Sequence, residues 1–115
     1  MVDEDRVRLH HMLDASRKAT ALVSGVSLEQ YTAAENFVLR AATERFLEIV
    51  GEAAHHVSDE LKADHPGVPW QRIASMRNHL IHGYMTTSDR IVWNTAVKHA
   101  PPLVAQLEQL LGNAP

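Results

Sequence analysis

The sequence predicts an all-α fold, an antiparallel helical bundle built around two long helices with shorter helices toward the C-terminus. Three observations carry this. Apolar residues recur at three- and four-residue spacing through most of the 115 residues. Aromatics make up only 5%, and Gly and Pro number five each, too few for a chain of strands and tight turns. Helix-capping residues stand where each periodic stretch begins. No internal repeat or low-complexity segment interrupts the pattern, so residues 1–115 read as a single domain.

The first helix is expected from Glu4 to about Ser24, with Asp3 as its cap and Leu9, Leu13, Ser16, Thr20 and Val23 on one stripe, widened by Met12 and Ala19. Ser24-Gly25 stops it, because glycine past a helix end takes the left-handed conformation cheaply. Ser27 with Gln30 forms one capping box and Thr32 with Glu35 a second, which predicts a short helical turn before a long helix from Ala33 to about Ala63. Its apolar stripe is Phe37, Val38, Ala41, Phe46, Leu47, Val50, Ala53, Ala54, Val57 and Leu61. Gly51 inside that helix costs up to ~1 kcal/mol relative to Ala, so another backbone should pass close to it. The run His65-Pro66-Gly67-Val68-Pro69 ends the helix. A third helix opens with Pro69 as its first residue, turns Trp70, Ile73, Met76 and Leu80 inward and stops near Gly83. Thr86-Thr87-Ser88 offers caps for a fourth helix from Asp89 to about Ala100. Pro101-Pro102 kinks or splits it before Leu103, Leu107, Leu110 and Leu111 complete an amphipathic tail.

The chain is long enough to bury a sizeable core without a disulfide or structural metal. It contains no cysteine, which excludes thiolate metal sites and thiol nucleophiles and fits a reducing compartment. No apolar run approaches the roughly 20 residues of a membrane span. The acidic start Met1-Val2-Asp3-Glu4-Asp5 is unlike a basic signal peptide, so a cytoplasmic protein without a membrane partner is expected. The net charge of −3 conceals a split. Between His65 and Leu107, Arg72, Arg77, Arg90 and Lys98 face Asp89 alone, a balance of +3, while the remainder carries −6. Part of the surface can therefore attract an anion that the molecule as a whole repels.

Reactive polarity concentrates in Met76-Arg77-Asn78-His79-Leu80-Ile81-His82-Gly83-Tyr84. At about 100° per residue, His82 lies some 40° from Asn78 and about 140° from Arg77. A long Arg side chain can span that gap. Arginine supplies a rigid fork of donors for phosphate, and histidine as a residue type titrates near neutrality. The pair suits cleavage of a phosphodiester by its neighbouring 2′-hydroxyl, which needs a base, an acid and charge stabilisation but no metal. Spacing alone favours a plainer reading, since Arg6 to His11 and Arg72 to His79 also place a His after an Arg with four to six residues between them. Arg77 then is a surface or ion-pairing residue and His82 a cation at a helix C-terminus. His79 and His82 could share a metal ion, but no obvious further ligand accompanies them. His10-His11 and His55-His56 read as solvated, Trp70 and Trp93 as core, and Tyr31 has no reactive neighbour in sequence. Asp14, Glu44 and Glu48 are expected to pair with Arg17, Lys18, Arg40 or Arg45 on helix faces.

The full string Arg77-Asn78-x-Leu80-Ile81-His82-x-Tyr84 resembles the R-N-x-L-x-H-x-Y signature of the HepT-type HEPN toxins. His11-Met12-Leu13-Asp14-Ala15 resembles their first-helix motif, and Leu47-Glu48-Ile49-Val50-Gly51-Glu52-Ala53-Ala54 their second. Val68-Pro69-Trp70, Met76 and Val92-Trp93 fall in register, so the likeness runs from about Arg8 to Leu107. One mild departure is His99-Ala100, where an acidic residue often precedes the proline. The resemblance implies a HEPN bundle acting as a metal-independent endoribonuclease toxin, cofactor-free and usually a symmetric homodimer. Its implied partners are the RNA substrate and an MNT-type nucleotidyltransferase antitoxin. By position, Arg77 would contact the scissile phosphate, His82 would act as acid or base, and Asn78 would orient the substrate or His82. Glu52 would pair with Arg77 and hold it, and Tyr84 matches the tyrosine that such antitoxins modify with AMP. A two-fold axis near His82 would supply both the acid and the base and pool two basic stretches in one cleft. AMP on Tyr84 would then repel RNA from that cleft. Two alternatives are a non-catalytic HEPN module that binds a nucleotide or RNA end, or docks the transferase, and a plain dimeric helical scaffold.

Overall fold

In the computed structural model, which describes residues 1–83 and 88–112, the chain is a helical bundle with no strand among the described residues. Helix α1 (Asp3–Val23) carries Asp3, Glu4 and Asp5 in its first turn, where they complement the positive end of the helix dipole. Val2 rather than Asp3 occupies the cap position. Gly25 follows with φ +73°, the left-handed stop predicted for it. The Ser27–Gln30 capping box forms as expected and opens α2 (Leu28–Thr32), with Gln30 N donating to Ser27 Oγ at 3.1 Å. The second predicted box does not form. Thr32 is still helical, and its hydroxyl donates back to Leu28 O at 2.9 Å. A single tight turn (Ala34–Asn36) then leads into the long α3 (Phe37–His55). Arg40 fastens that entry by donating from Nη1 to the carbonyls of Tyr31 and Ala33 at 2.9 and 2.6 Å.

The helix predicted to run to Ala63 instead breaks after His55, and α4 (Asp59–Asp64) follows as a separate element. Ser58 supplies the reason. Its hydroxyl caps α4 by accepting from Leu61 N at 3.2 Å. The buried Asp5 carboxylate accepts from Ser58 N at 2.9 Å and from Ser58 Oγ at 2.6 Å. These bonds satisfy groups that a continuous helix would have bonded internally, and they tie the start of α1 to the α3–α4 corner.

Helix α5 (Trp70–His82) follows the proline-bracketed loop, with Pro69 at the cap position rather than the first helical position. Helix α6 (Asp89–Asn94) passes through a widened π turn (Thr95–His99) into α7 (Ala100–Leu110). The expected break at Pro101-Pro102 is absorbed there, because the prolines fall in the first turn of α7, where missing N–H groups cost least.

Helices α1, α3 and α7 pack together around Leu9, Met12, Leu13, Val50, Ala54, Leu103 and Leu107, with Ile73 of α5 added at the edge. A second cluster (Ala19, Val23, Tyr31, Leu47, Val92, Ala96) joins the far end of α1 to α6. Three residues of the predicted stripe fall outside, Ala41 among them. Phe37 and Val38 are 64% and 65% exposed, because α3 turns its Thr43, Leu47, Val50 and Ala54 face inward and leaves the opposite one to solvent. Trp70 and Trp93 are half-buried, and their indole N–H groups donate to His65 O at 3.0 Å and Val26 O at 2.8 Å. Lys18–Asp14 at 3.0 Å and Arg45–Glu48 at 2.7 Å are helix-face pairs of the predicted kind. No helix among the described residues is long and apolar enough to cross a membrane.

Candidate active site

The site is built on the last turns of α5 and on the one place where α3 can approach it. Gly51 is buried, and a Cβ there would collide with Arg77 Cβ, stand 3.0 Å from Arg77 Cγ and 3.3 Å from Arg77 Cα. The missing side chain thus lets the backbones of α3 and α5 meet at Arg77, the close approach that glycine in mid-helix implied. The stem of Arg77 is held there. Its Nε is buried without a hydrogen-bond partner, and Nη1 reaches Asn78 Oδ1 at 3.5 Å.

On the solvent side of α5, an open groove of about 490 Å³ is lined by Ser75, Asn78, His79, His82 and Gly83. Asn78 and His82 share it because they stand four residues apart on one face. Asn78 is therefore the link in the constellation, lining the groove with His82 while accepting from Arg77. Arg77 itself does not line the groove in the single chain; its guanidinium stops at Asn78, as the separation of about 140° on the helix requires.

Glu52 does not hold Arg77. Among the described residues no ion pair joins them, and Glu52 is exposed on the outer face of α3, about 100° around from Gly51. Tyr84 lies outside the described residues. Three groove residues went unrecognised as such in the sequence: Gly83, read only as the helix stop, and Ser75 and His79, the latter considered only for a metal pair. The signal for Ser75 and His79 was available, since 75, 78, 79 and 82 form one i, i+3, i+4, i+7 stripe. His79 and His82 also occupy the last turn of α5, where cationic side chains complement the carbonyl end of the dipole. No group of three or more His, Asp or Glu among the described residues is arranged to hold a metal ion.

The basic residues of the C-terminal half divide between two places. Arg77 sits behind the groove, whereas Arg72, Arg90 and Lys98 line a separate cavity between α5 and α6. Tyr31 is enclosed in the core, and burial pushes its hydroxyl up to about 12, so it takes no part in proton transfer.

Comparison with known proteins identifies the family. The family described as Ribonuclease HepT-like matches residues 12–110. The chain is 38% identical over 106 residues to "Putative RNase TTE0752" of Caldanaerobacter subterraneus subsp. tengcongensis, covering 92% of this chain and 93% of that protein. It is 39% identical over 66 residues to "Probable ribonuclease HepT" of Thermococcus cleftensis, covering 57% of this chain and 60% of the other. A more distant relative, "Putative RNase MJ1380" of Methanocaldococcus jannaschii, is 25% identical over 100 residues, 87% of this chain and 90% of that one. No solved structure matches significantly. With the family match spanning most of α1 through α7, the chain belongs to the HepT-like ribonuclease family.

Proposed function

We propose that this chain is a metal-independent endoribonuclease, the toxin of a HepT/MNT (type VII) toxin–antitoxin pair, acting in the cytoplasm as a homodimer. One observation carries the reading: Asn78 lines an open groove with His82 and at the same time contacts the guanidinium of Arg77, which Gly51 seats against α3. The reaction is transesterification. A base takes the proton of a ribose 2′-hydroxyl, whose oxygen attacks the adjacent phosphorus. The P–O5′ bond breaks, an acid protonates the departing 5′-oxygen, and the products are a 2′,3′-cyclic phosphate and a 5′-hydroxyl. His82 serves as base or acid, and the partner's copy serves in the other role across the two-fold axis. Arg77 neutralises the phosphorane charge, and the Asn78 amide orients the strand. An MNT-type nucleotidyltransferase silences the enzyme by adding AMP to Tyr84, which adds an anion to the chain and repels RNA.

The test is cleavage of RNA in the presence of EDTA by wild type, His82→Ala and Arg77→Ala. Activity that survives chelation and is lost in both variants supports the reading; equal activity in all three refutes it. For the switch, incubation with ATP, Mg²⁺ and the transferase should add AMP mass that Tyr84→Phe abolishes. One observation favours the alternative of a non-catalytic HEPN module: Arg77 stands behind the groove rather than in it. RNA binding without any cleavage would decide for that alternative.

A further inference from the structure

A cavity larger than the His82 groove lies elsewhere among the described residues. A cleft of about 620 Å³ opens between α5, α6 and the π turn, within the usual range for small-molecule sites. Its rim carries Arg72, Arg90 and Lys98, and none of the three is ion-paired with a carboxylate among the described residues. No acidic side chain among the described residues lines it. Arg72 and Lys98 come from different elements, as do the apolar groups beneath them: Met76 from α5, and Ile91 and Trp93 from α6. Ile91 is 44% exposed there. Three cations around an apolar floor are matched by a ligand that is anionic at one end and flat and apolar at the other. A bare phosphate would leave the floor uncovered, and an aliphatic ligand would leave the cations unmatched. A nucleotide satisfies both.

We infer that this cleft is a second RNA subsite, holding a nucleotide outside the scissile bond with its phosphate on Arg72, Arg90 and Lys98 and its base over Met76, Ile91 and Trp93. The inference rests on the ribonuclease reading for its choice of RNA over a free nucleotide. Geometry supports it. Arg72 and His82 are ten residues apart on α5, about 15 Å along the helix, and Ser75 and His79 fill the stretch between them on the same exposed side. A strand can therefore follow α5 from the groove to the cleft. Arg72 Nη1 donates to His99 Nδ1 at 2.9 Å, and both residues line the cleft. Asn94 also lines the cleft. Aromatic stacking with flanking cations is how single strands are held without base pairing.

The probe is a short 2′-O-methyl RNA, which lacks the attacking hydroxyl, titrated into full-length protein carrying Trp70→Phe so that Trp93 reports alone. RNA should quench Trp93. Arg72→Ala/Lys98→Ala should weaken binding at least ~10-fold at low salt and reduce the slope of log affinity against log salt by up to about 0.7, the one single-strand phosphate contact. Arg72→Lys/Lys98→Arg should keep the wild-type slope, separating charge from fold. Unchanged affinity and slope in the double-alanine variant overturn the inference. Quenching of Trp93 by AMP but not by the oligonucleotide overturns the assignment to RNA in favour of a free nucleotide. Binding is read without turnover, so failure of the cleavage reaction leaves this result standing. Conversely, cleavage lost in His82→Ala with RNA binding indifferent to Arg72 and Lys98 refutes the subsite and retains the reaction.

Discussion

Replacing Gly51 with alanine perturbs the one contact on which the site geometry depends. In an ordinary helix the change would stabilise, by roughly 0.5–1 kcal/mol, because alanine is the better helix former. Here the new methyl meets Arg77 Cβ and lies 3.3 Å from Arg77 Cα, atoms fixed to the α5 backbone rather than the end of a flexible side chain. Relief requires α5 to move away from α3 as a unit. Overpacking of this kind costs about 1–3 kcal/mol. The two effects leave a net loss of about 1–2 kcal/mol, a fall in Tm of roughly 4–8 °C for a domain near this size. The displaced helix carries Arg77, Asn78 and His82, and a misplacement of about 1 Å can lower a rate ~100-fold. Thermal unfolding followed by circular dichroism, with RNA cleavage measured on the same samples, tests both parts. Gly67→Ala is the control, since nothing lies within 4 Å of a Cβ at that position, and it should unfold no earlier than wild type. A Gly51→Ala protein as stable as wild type and fully active would refute the close approach of α3 and α5.

Further expectations concern single residues. Asp5→Ala removes two hydrogen bonds to Ser58 and should cost about 1–2 kcal/mol by denaturant unfolding. The Ser58 bonds hold the Asp5 carboxyl below its ordinary 3.8, so its stabilising share is complete above that value and is lost as the pH falls through the lowered one; Asp5→Asn should flatten the acid limb of stability against pH. His99 is held below its ordinary 6.5 by burial first, then by Arg72 and Lys98, so stability should also fall as pH drops below 6.5, and Arg72→Ala should raise the His99 titration seen by NMR. Ser27→Ala, which removes the capping box of α2, should lower stability by ~1 kcal/mol without changing cleavage. His79→Ala should reduce cleavage no more than about tenfold, whereas His82→Ala should reduce it by ~10³ or more, measured under single-turnover conditions.

Helix positions were legible in the sequence where local chemistry decides them. The Ser27–Gln30 box, the left-handed Gly25 and the start of α5 after the prolines each depend on residues within one or two turns. The errors lie where a distant partner decides. The break before α4 needs Asp5, 53 residues away, to capture Ser58, and no helical pattern near Ser58 signals that. Phe37 and Val38 look like core by composition, but the inward face of α3 is set by Gly51 and Ala54 meeting α5 and α1. At the site, Asn78 and His82 shared a face by spacing alone, and Gly51 announced the helix contact. The recession of Arg77 behind Asn78 was already present in its separation of about 140° from His82, whereas the failure of Glu52 to reach it depends on which face of α3 meets α5, the face that Gly51 marks. The basic stretch was visible as charge, but not that Arg72, Arg90 and Lys98 would line one cleft while Arg77 stands behind the groove.

The most direct test of the account is a mixed dimer of one wild-type and one His82→Ala protomer, purified with different tags and assayed for RNA cleavage with EDTA present. If one imidazole from each copy serves the same phosphate, the mixed dimer should cleave near the level of the doubly substituted protein. Activity at about half that of wild type would show that each groove works alone, and the shared site would be contradicted.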